Sequence, residues 1–346
     1  MDPNVCVFIL AGGSGERFWP MSRTARPKHL LKLFGDATLL ENTVRRLEGV
    51  VSWDRVFVLT NIAQRDAAVA ELPFLPPENI VAEPAKRDTA PACALATGLA
   101  HTRFPGSVCV LLPADAMIHD VGTFRRQFAD LVASARSRDA IATFSIPPKF
   151  PATGYGYLQL GSPLEGGAVE VIRFVEKPDQ STAQEYLASG QYGWNAGVFA
   201  WRDDWFMAEA KRLTPEIGAF LDGFPLEGTL EYLQKNFPQL TKISVDYAIL
   251  ERTSEVVAIR AEFDWDDVGS WTALPSHIGT DEHGNAFQGA VLSLDSKNNI
   301  AVSNGRVVAL CGVQDLVVVE TGDAVLVCHK DAAQSIKKLA VPDALR

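Results

Sequence analysis

The residues best suited to chemistry fall into two groups of opposite charge. The first follows an apolar run, VCVFILA, and reads LAGGSGERFWPMSRTARPK over residues 10–28. Residues 14–32 hold five cations (Arg17, Arg23, Arg26, Lys28 and Lys32) against one acid, Glu16, in a chain whose formal net charge is −10. Gly12, Gly13 and Gly15 let backbone N–H groups approach phosphate oxygens, and fixed cations neutralise them, so the loop suits a polyphosphate. The second group is acidic: Asp115 ends LPAD, and Asp264, Asp266 and Asp267 crowd FDWDDVGSW. Three carboxylates this close repel unless a cation or partner offsets them. Magnesium takes one or two carboxylates plus substrate phosphates. Asp115 also suits a helix N-cap, and physics alone does not choose among the three later acids.

Smaller signals accompany these. Glu83-Pro84 precedes Lys86-Arg87-Asp88-Thr89 at a helix start. Glu176 and Lys177 adjoin in RFVEKP; strand alternation points them to opposite faces unless the strand ends there, which Pro178 favours. Asn195 in WNAG, placed just before a strand, offers an amide suited to sugar hydroxyls, although a turn asparagine is the plainer reading. Asp246 in VDYAILE fits either a sugar pocket or a helix cap.

Two common phosphate motifs fail. The pattern GxGxxG needs glycine where Phe18 stands, which argues against a dinucleotide-binding oxidoreductase, and GxxxxGK[ST] has no match. A pI near 5.2 argues against general nucleic-acid binding and membrane-surface attraction. No apolar run approaches the roughly 20 residues of a membrane span. Asp2, not a basic region, precedes the N-terminal run, so that run reads as a strand and not as a signal peptide. Cys6, Cys93, Cys109, Cys311 and Cys328 are expected to be reduced core residues of a cytoplasmic protein. The histidines lack zinc spacing.

The elements that must position these residues alternate strand and helix over the first 145 or so positions. Strands are expected at 5–11, 55–60, 79–82, 108–112 and 140–146, and helices from about 39, after Asn61, at 88–102 and at 124–135. Several strands are apolar throughout, as when helices cover both sheet faces. This is a doubly wound α/β pattern, whose ligands sit beyond the carboxyl ends of its strands. GGSGER, Glu83 and Asp115 all fall at such ends. Strands near 156–160, 168–177, 197–201 and 255–260 are expected to extend the sheet as a mixed one and cover the site. After about residue 275, short strands at eight- to ten-residue spacing read as a small all-β domain or solenoid ending in a helix at 332–339. The expected division is 1–275 and 276–346.

The chain resembles the sugar-1-phosphate nucleotidyltransferases, most closely those that couple GTP to mannose 1-phosphate. LAGGSGERFWPMSRTARPKHLLKL, EPAKRDTAPACALA, LPAD, GYGYL, FVEKP, WNAGVFAW, VDYAILE and DWDDVGSW carry the resemblance, in the family's order, over about three quarters of the chain. It implies a doubly wound, mixed-sheet, Rossmann-like catalytic domain followed by a short β-helix-like domain that often serves dimer contacts. It places Leu10, Ala11, Gly12, Gly13 and Gly15 at the nucleotide, with Arg17 and Lys28 as phosphate-binding catalytic cations. Glu83, Arg87 and Thr89 are implied around the guanosine, with Lys-Arg-Asp here where relatives often have Gly-Arg-Asn. Gly156, Glu176, Lys177 and Asn195 match sugar-phosphate positions, and Asp115 and Asp267 match Mg²⁺ ligands.

The implied reaction takes GTP and α-D-mannose 1-phosphate to GDP-mannose and pyrophosphate, in a cytoplasmic homodimer with no nucleic-acid or membrane partner. Glucose or heptose 1-phosphate is the alternative substrate. A nucleotide-sugar-sensing subunit would usually have lost the phosphate loop or the acids, and both are present. The cupin-like isomerase domain of longer relatives is not expected at 346 residues.

Overall fold

The computed structural model describes residues 4–345. Strand β1 (Val5–Leu10) lies between β2 (Val56–Asn61) and β4 (Val108–Pro113), parallel to both, and β3 (Ile80–Glu83) pairs in parallel with β2. Alternation along β1 divides its side chains between two cores. Val5, Val7 and Ile9 join Leu40, Val44, Phe124 and Phe128 on one face, whereas Cys6 and Phe8 join Phe57, Leu95, Leu99 and Phe206 on the other. Helices α1 (Leu39–Arg45), α2 (Arg65–Glu71) and α4 (Val121–Ser137) therefore cover one side, and α3 (Thr89–Arg103) the other. The expected cap of α1 is present: Thr38 Oγ1 accepts from Glu41 N at 3.1 Å.

The sheet has nine strands in the order β3-β2-β1-β4-β8-β5-β9-β7-β6. Here β5 is Ile141–Ile146, β6 Tyr157–Pro163, β7 Ala168–Val175, β8 Tyr192–Arg202 and β9 Val256–Arg260. Strands β4 and β5 are not neighbours, because β8 runs antiparallel between them. One expectation needs correcting: strand β8 is longer than expected, so Trp194 and Asn195 sit inside it instead of before it. Its pairing with β5 shifts register between Thr143 and Ser145, and Gly197 takes a φ of 71°. Such a bulge re-aims side chains within a strand, and this one lies at Asn195.

The C-terminal strands stack as a short solenoid. Strands β10 (Ala286–Gln288), β12 (Ile300–Ser303) and β14 (Leu316–Glu320) pair in parallel, as do β11 (Val291–Leu294) and β13 (Val308–Cys311). Strand β15 (Val325–His329) closes the stack antiparallel to β14, and a 3₁₀ helix, Lys330–Lys338, follows. Ile300, Val302, Val317, Val319 and Ile336 share one core with Phe18, Leu31, Met117, Val268 and Trp271, so the solenoid docks on the glycine loop. Cys6, Cys93 and Cys109 are buried as expected, but Cys311 is exposed and Cys328 half-buried, because the solenoid's outer face has no covering layer. No helix among the described residues is long and apolar enough to cross a membrane.

Candidate active site

Beyond β1 the chain turns back on itself at Gly15, whose φ is 62°. A Cβ there would lie 2.4 Å from Lys28 Cβ and 2.6 Å from Lys28 N, so only glycine lets the loop close over Lys28. Lys28 is 7% exposed. Its ammonium pairs with Asp115 Oδ2 at 2.9 Å, donates to the Asp267 carbonyl at 2.6 Å and stands 5.8 Å from the Phe18 ring centre. Burial keeps the neighbouring His29 neutral by pushing its pKa down to about 4, so His29 adds no cation. Arg17 Nε is buried without a hydrogen-bond partner, an arrangement that an anionic ligand would satisfy.

The three clustered acids separate by what they touch. Asp264 accepts from His119 N at 2.8 Å and Asp120 N at 2.6 Å, and so ties down the entry to α4. Asp266 accepts from Val268 N at 2.7 Å and faces His277 Nε2 at 3.1 Å; His277 Nδ1 in turn meets His119 Nε2 at 2.9 Å. Burial opposes ionisation of Asp266, but these hydrogen bonds hold its carboxyl below the ordinary range. Asp267 alone of the three turns into the cavity that Lys28 and Asp115 line, with one oxygen taken by the Tyr155 hydroxyl at 2.6 Å.

Asp267 and Asp115 titrate in opposite directions. Burial raises the Asp267 pKa, with the charges of Asp266 and Asp115 adding to the rise, against Tyr155 and Lys28. At Asp115 burial also works against the charge, but the charge and hydrogen bond of Lys28 lead the effects that outweigh it and lower the pKa. Asp115 caps no helix; Asp120 caps α4, accepting from Thr123 N at 3.0 Å.

Two adjoining cavities share Asp115 and Asp267. The first, of about 380 Å³, is lined by Gly15, Arg17, Lys28 and Lys337. The second, of about 260 Å³, is lined by Leu10, Thr89, Gly156, Glu176, Asn195 and Asp246, with Tyr155 and Trp265 beside the acids. In the second, Asn195 Oδ1 accepts from Thr143 Oγ1 and Gly197 N, which leaves the amide nitrogen to donate. A Cβ on Gly156 would come within 2.7 Å of Glu176 Oε2, so glycine there admits the carboxylate. The strand does end at Val175, and Lys177, at a φ of 46°, turns its ammonium onto Glu176. Burial, with Glu176 close by, pushes the Asp246 pKa up to about 6, and Asp246 caps nothing with its side chain.

Of the remaining expected residues, Thr89 lines the second cavity, whereas Ala11, Gly12, Gly13, Glu83 and Arg87 line neither. Glu83 stands 3.9 Å from where a Gly12 Cβ would sit, and burial with Asp88 pushes its pKa up to about 8. Gly13 is exposed and Ala11 buried. Arg87 reaches away and donates to the Pro238 carbonyl at 3.0 Å. Thr89, besides lining the second cavity, accepts from Val245 N at 2.8 Å. Three participants were not singled out from the sequence: Tyr155, Trp265 and Lys337. Tyr155 lies within GYGYL, where only Gly156 drew attention. Lys337 carried no local signal.

Comparison with known proteins shows the family. A family model described as "Nucleotidyl transferase" matches residues 6–281, and one described as "MannoseP isomerase/GMP-like beta-helix domain" matches residues 289–341. A xanthan biosynthesis protein, XanB, of Xanthomonas campestris is 39% identical over 97% of this chain and 72% of its own length. Mannose-1-phosphate guanylyltransferase of Escherichia coli K12 is 38% identical over 96% of this chain and 72% of its own. A crystal structure from Thermus thermophilus, described as a mannose-1-phosphate geranyltransferase, superposes with a TM-score of 0.89 at 34% identity, covering 97% of this chain and 98% of that one. With two cavities meeting at Asp115 and Asp267, and with these matches over nearly its whole length, the chain belongs to the nucleotidyl transferase family.

Proposed function

We propose that this enzyme transfers GMP from GTP to α-D-mannose 1-phosphate, giving GDP-mannose and pyrophosphate. The observation that carries the reading is the pair of cavities joined at Asp115 and Asp267, one edged by phosphate-binding cations and the other by polar groups suited to a sugar. The similarity to a mannose-1-phosphate guanylyltransferase supplies the substrate pair.

The sugar phosphate is already an anion at neutral pH. One of its oxygens forms the new bond to the α-phosphorus of GTP while the bond to the β-phosphate bridging oxygen breaks, and pyrophosphate leaves in line. No protein nucleophile is needed, and the chain's work is positioning and charge neutralisation. Lys28 and Arg17 balance charge on the α-phosphate and the leaving group. The Asn195 amide, Glu176 and Lys177 orient the sugar phosphate, and Tyr155 fixes the Asp267 carboxylate. Glu83, beside the glycine loop, is the group this reading sets near the base.

Asp115 and Asp267 are the residues that would hold Mg²⁺. The donor set fits: two carboxylates converge on one cavity, and substrate phosphates and water would supply the remaining ligands. When bound, Mg²⁺ neutralises phosphate charge. The exposed Leu292, Leu294, Val325 and Val327 of the solenoid support association of two copies there.

Pyrophosphate release measured across a panel of nucleotides and sugar 1-phosphates tests the assignment. GTP with mannose 1-phosphate is expected to give the highest kcat/KM. Preference for glucose or heptose 1-phosphate, or for another nucleotide, would overturn the substrate pair, and no turnover with any pair would favour a sensing subunit.

A further inference from the structure

We propose that Lys337, carried by the C-terminal 3₁₀ helix, binds the β- and γ-phosphates of the nucleotide and the pyrophosphate that departs. The solenoid module thereby completes the active site instead of only docking beside it. The inference rests on the reading of the first cavity as the triphosphate site.

Placement is the first argument. Ile336, 4% exposed, is fixed in the core formed with Phe18 and Trp271. The Lys330–Lys338 helix packs on the Glu16–Phe18 turn of the glycine loop. Trp19 Nε1 donates to the Leu345 carbonyl at 3.2 Å, and Arg23 pairs with Asp323 at 2.9 Å. This anchoring brings the next residue, Lys337, into the wall of the first cavity, which Lys28, Asp115 and Asp267 also line. Lys337 does not line the second cavity, and so belongs to the side read as the triphosphate site.

Charge is the second argument. Within the first cavity Arg17 and Lys28 are matched by Asp115 and Asp267, and Glu16 adds a further acid to the lining. Without Lys337 the acids of the lining outnumber its cations, and even with the Mg²⁺ that the two aspartates would hold the pocket falls far short of the charge of a triphosphate. Lys337 supplies a further cation, and no carboxylate of the described residues is seen to pair with it. Its neighbour on the helix, Lys338, lines neither cavity. Lysine suits this role because a mobile ammonium on a flexible stem can follow pyrophosphate as it leaves.

The test uses the full-length enzyme and Lys337→Met, which keeps the apolar stem, with Lys338→Met as control and Lys337→Arg as the conservative variant. In the forward direction KM for GTP is expected to rise about tenfold, equivalent to about 1.4 kcal/mol. In the reverse direction KM for pyrophosphate is expected to rise similarly. KM for mannose 1-phosphate and the melting temperature should stay within twofold and about 2 °C. Lys337→Arg should restore most of the loss, and Lys338→Met should match wild type. Unchanged KM for both GTP and pyrophosphate in a folded Lys337→Met enzyme would overturn the proposal. So would a loss shared by all substrates and by thermal stability, because that pattern belongs to a docking residue. Wild-type turnover is measured in the same assay, so failure of the triphosphate reading shows as an inactive parent, separately from failure at Lys337.

Discussion

Replacing Lys28 by methionine keeps the length and apolar stem of the side chain and removes the charge and its N–H donors. Two native contacts disappear, the 2.9 Å ion pair with Asp115 and the 2.6 Å hydrogen bond to the Asp267 carbonyl. The Asp115 side chain is 42% exposed, so water can solvate it once its partner is gone. Stability should therefore fall by only about 1–2 kcal/mol. Activity should fall much further. Lys28 is nearly buried and held in the first cavity beside the two acids that both cavities share, where the proposed transfer would develop charge on the α-phosphate. Loss of one such preorganised donor typically costs about 10²–10³ in kcat, or about 2.7–4 kcal/mol. The pH dependence gives an independent check. Although burial opposes it, Lys28 holds the Asp115 pKa below its ordinary value, so the stability it contributes is present above the unfolded pKa and is lost as pH falls through the folded one. The gap in melting temperature between parent and variant should accordingly narrow on acidification. Circular dichroism establishes folding, and pyrophosphate release gives kcat. A folded Lys28→Met enzyme retaining a third or more of wild-type kcat would refute the role given to this residue.

Among the acids, Asp267→Asn should remove most Mg²⁺-dependent turnover in a pyrophosphate-release assay, whereas Asp264→Asn should lower stability by roughly 1 kcal/mol, seen as a lower melting temperature, with kcat largely kept. A larger kcat loss at Asp264 or Asp266 than at Asp267 would count against the hydrogen-bond sorting described above. Glu83→Gln should stabilise the ligand-free protein above pH 8. Burial with Asp88 raises the Glu83 pKa to about 8, so deprotonation costs stability progressively as pH rises from its unfolded value toward that point, and the amide escapes this cost. Thermal melts of both proteins at pH 5 and pH 9 would show it, and an equal difference at the two pH values would contradict it. Gly156→Ala should raise KM for mannose 1-phosphate with little change for GTP, because its Cβ would press on Glu176 Oε2 at 2.7 Å. Removal of residues from 287 onward should change the mass in light scattering, through loss of the exposed solenoid face, and should also impair turnover, through loss of Lys337. An unchanged mass would oppose the dimer role.

What could be read from the sequence was whatever depends on near neighbours. The Thr38 cap needs only Glu41, the strand at 5–10 only its apolar run, and the glycine–cation loop only its own composition. Strand order was less legible. The chain carries no local mark that β8 inserts between β4 and β5, because that choice is made by pairing across residues far apart. The extent of β8 was also hidden, since Gly193 and Gly197 resemble turn residues and in fact relieve close approach and a bulge. The three acids at 264–267 have nearly the same local chemistry. What separates them is His119, His277 and Tyr155, 145, 11 and 112 residues from the acids they meet. Arg87 and Lys337 moved in opposite directions for the same reason. One is drawn to the Pro238 carbonyl, and the other is delivered to the first cavity by an apolar neighbour, Ile336.

Direct transfer between the two cavities, with no protein nucleophile, is tested by the configuration at the transferred phosphorus. The enzyme is supplied with GTP bearing sulfur at one prochiral α-oxygen and with mannose 1-phosphate, and the thio-GDP-mannose formed is assigned by ³¹P NMR. A single in-line displacement at the junction of Lys28, Asp115 and Asp267 requires inversion. Retention would mean two displacements through a nucleotidylated side chain, and would contradict the account.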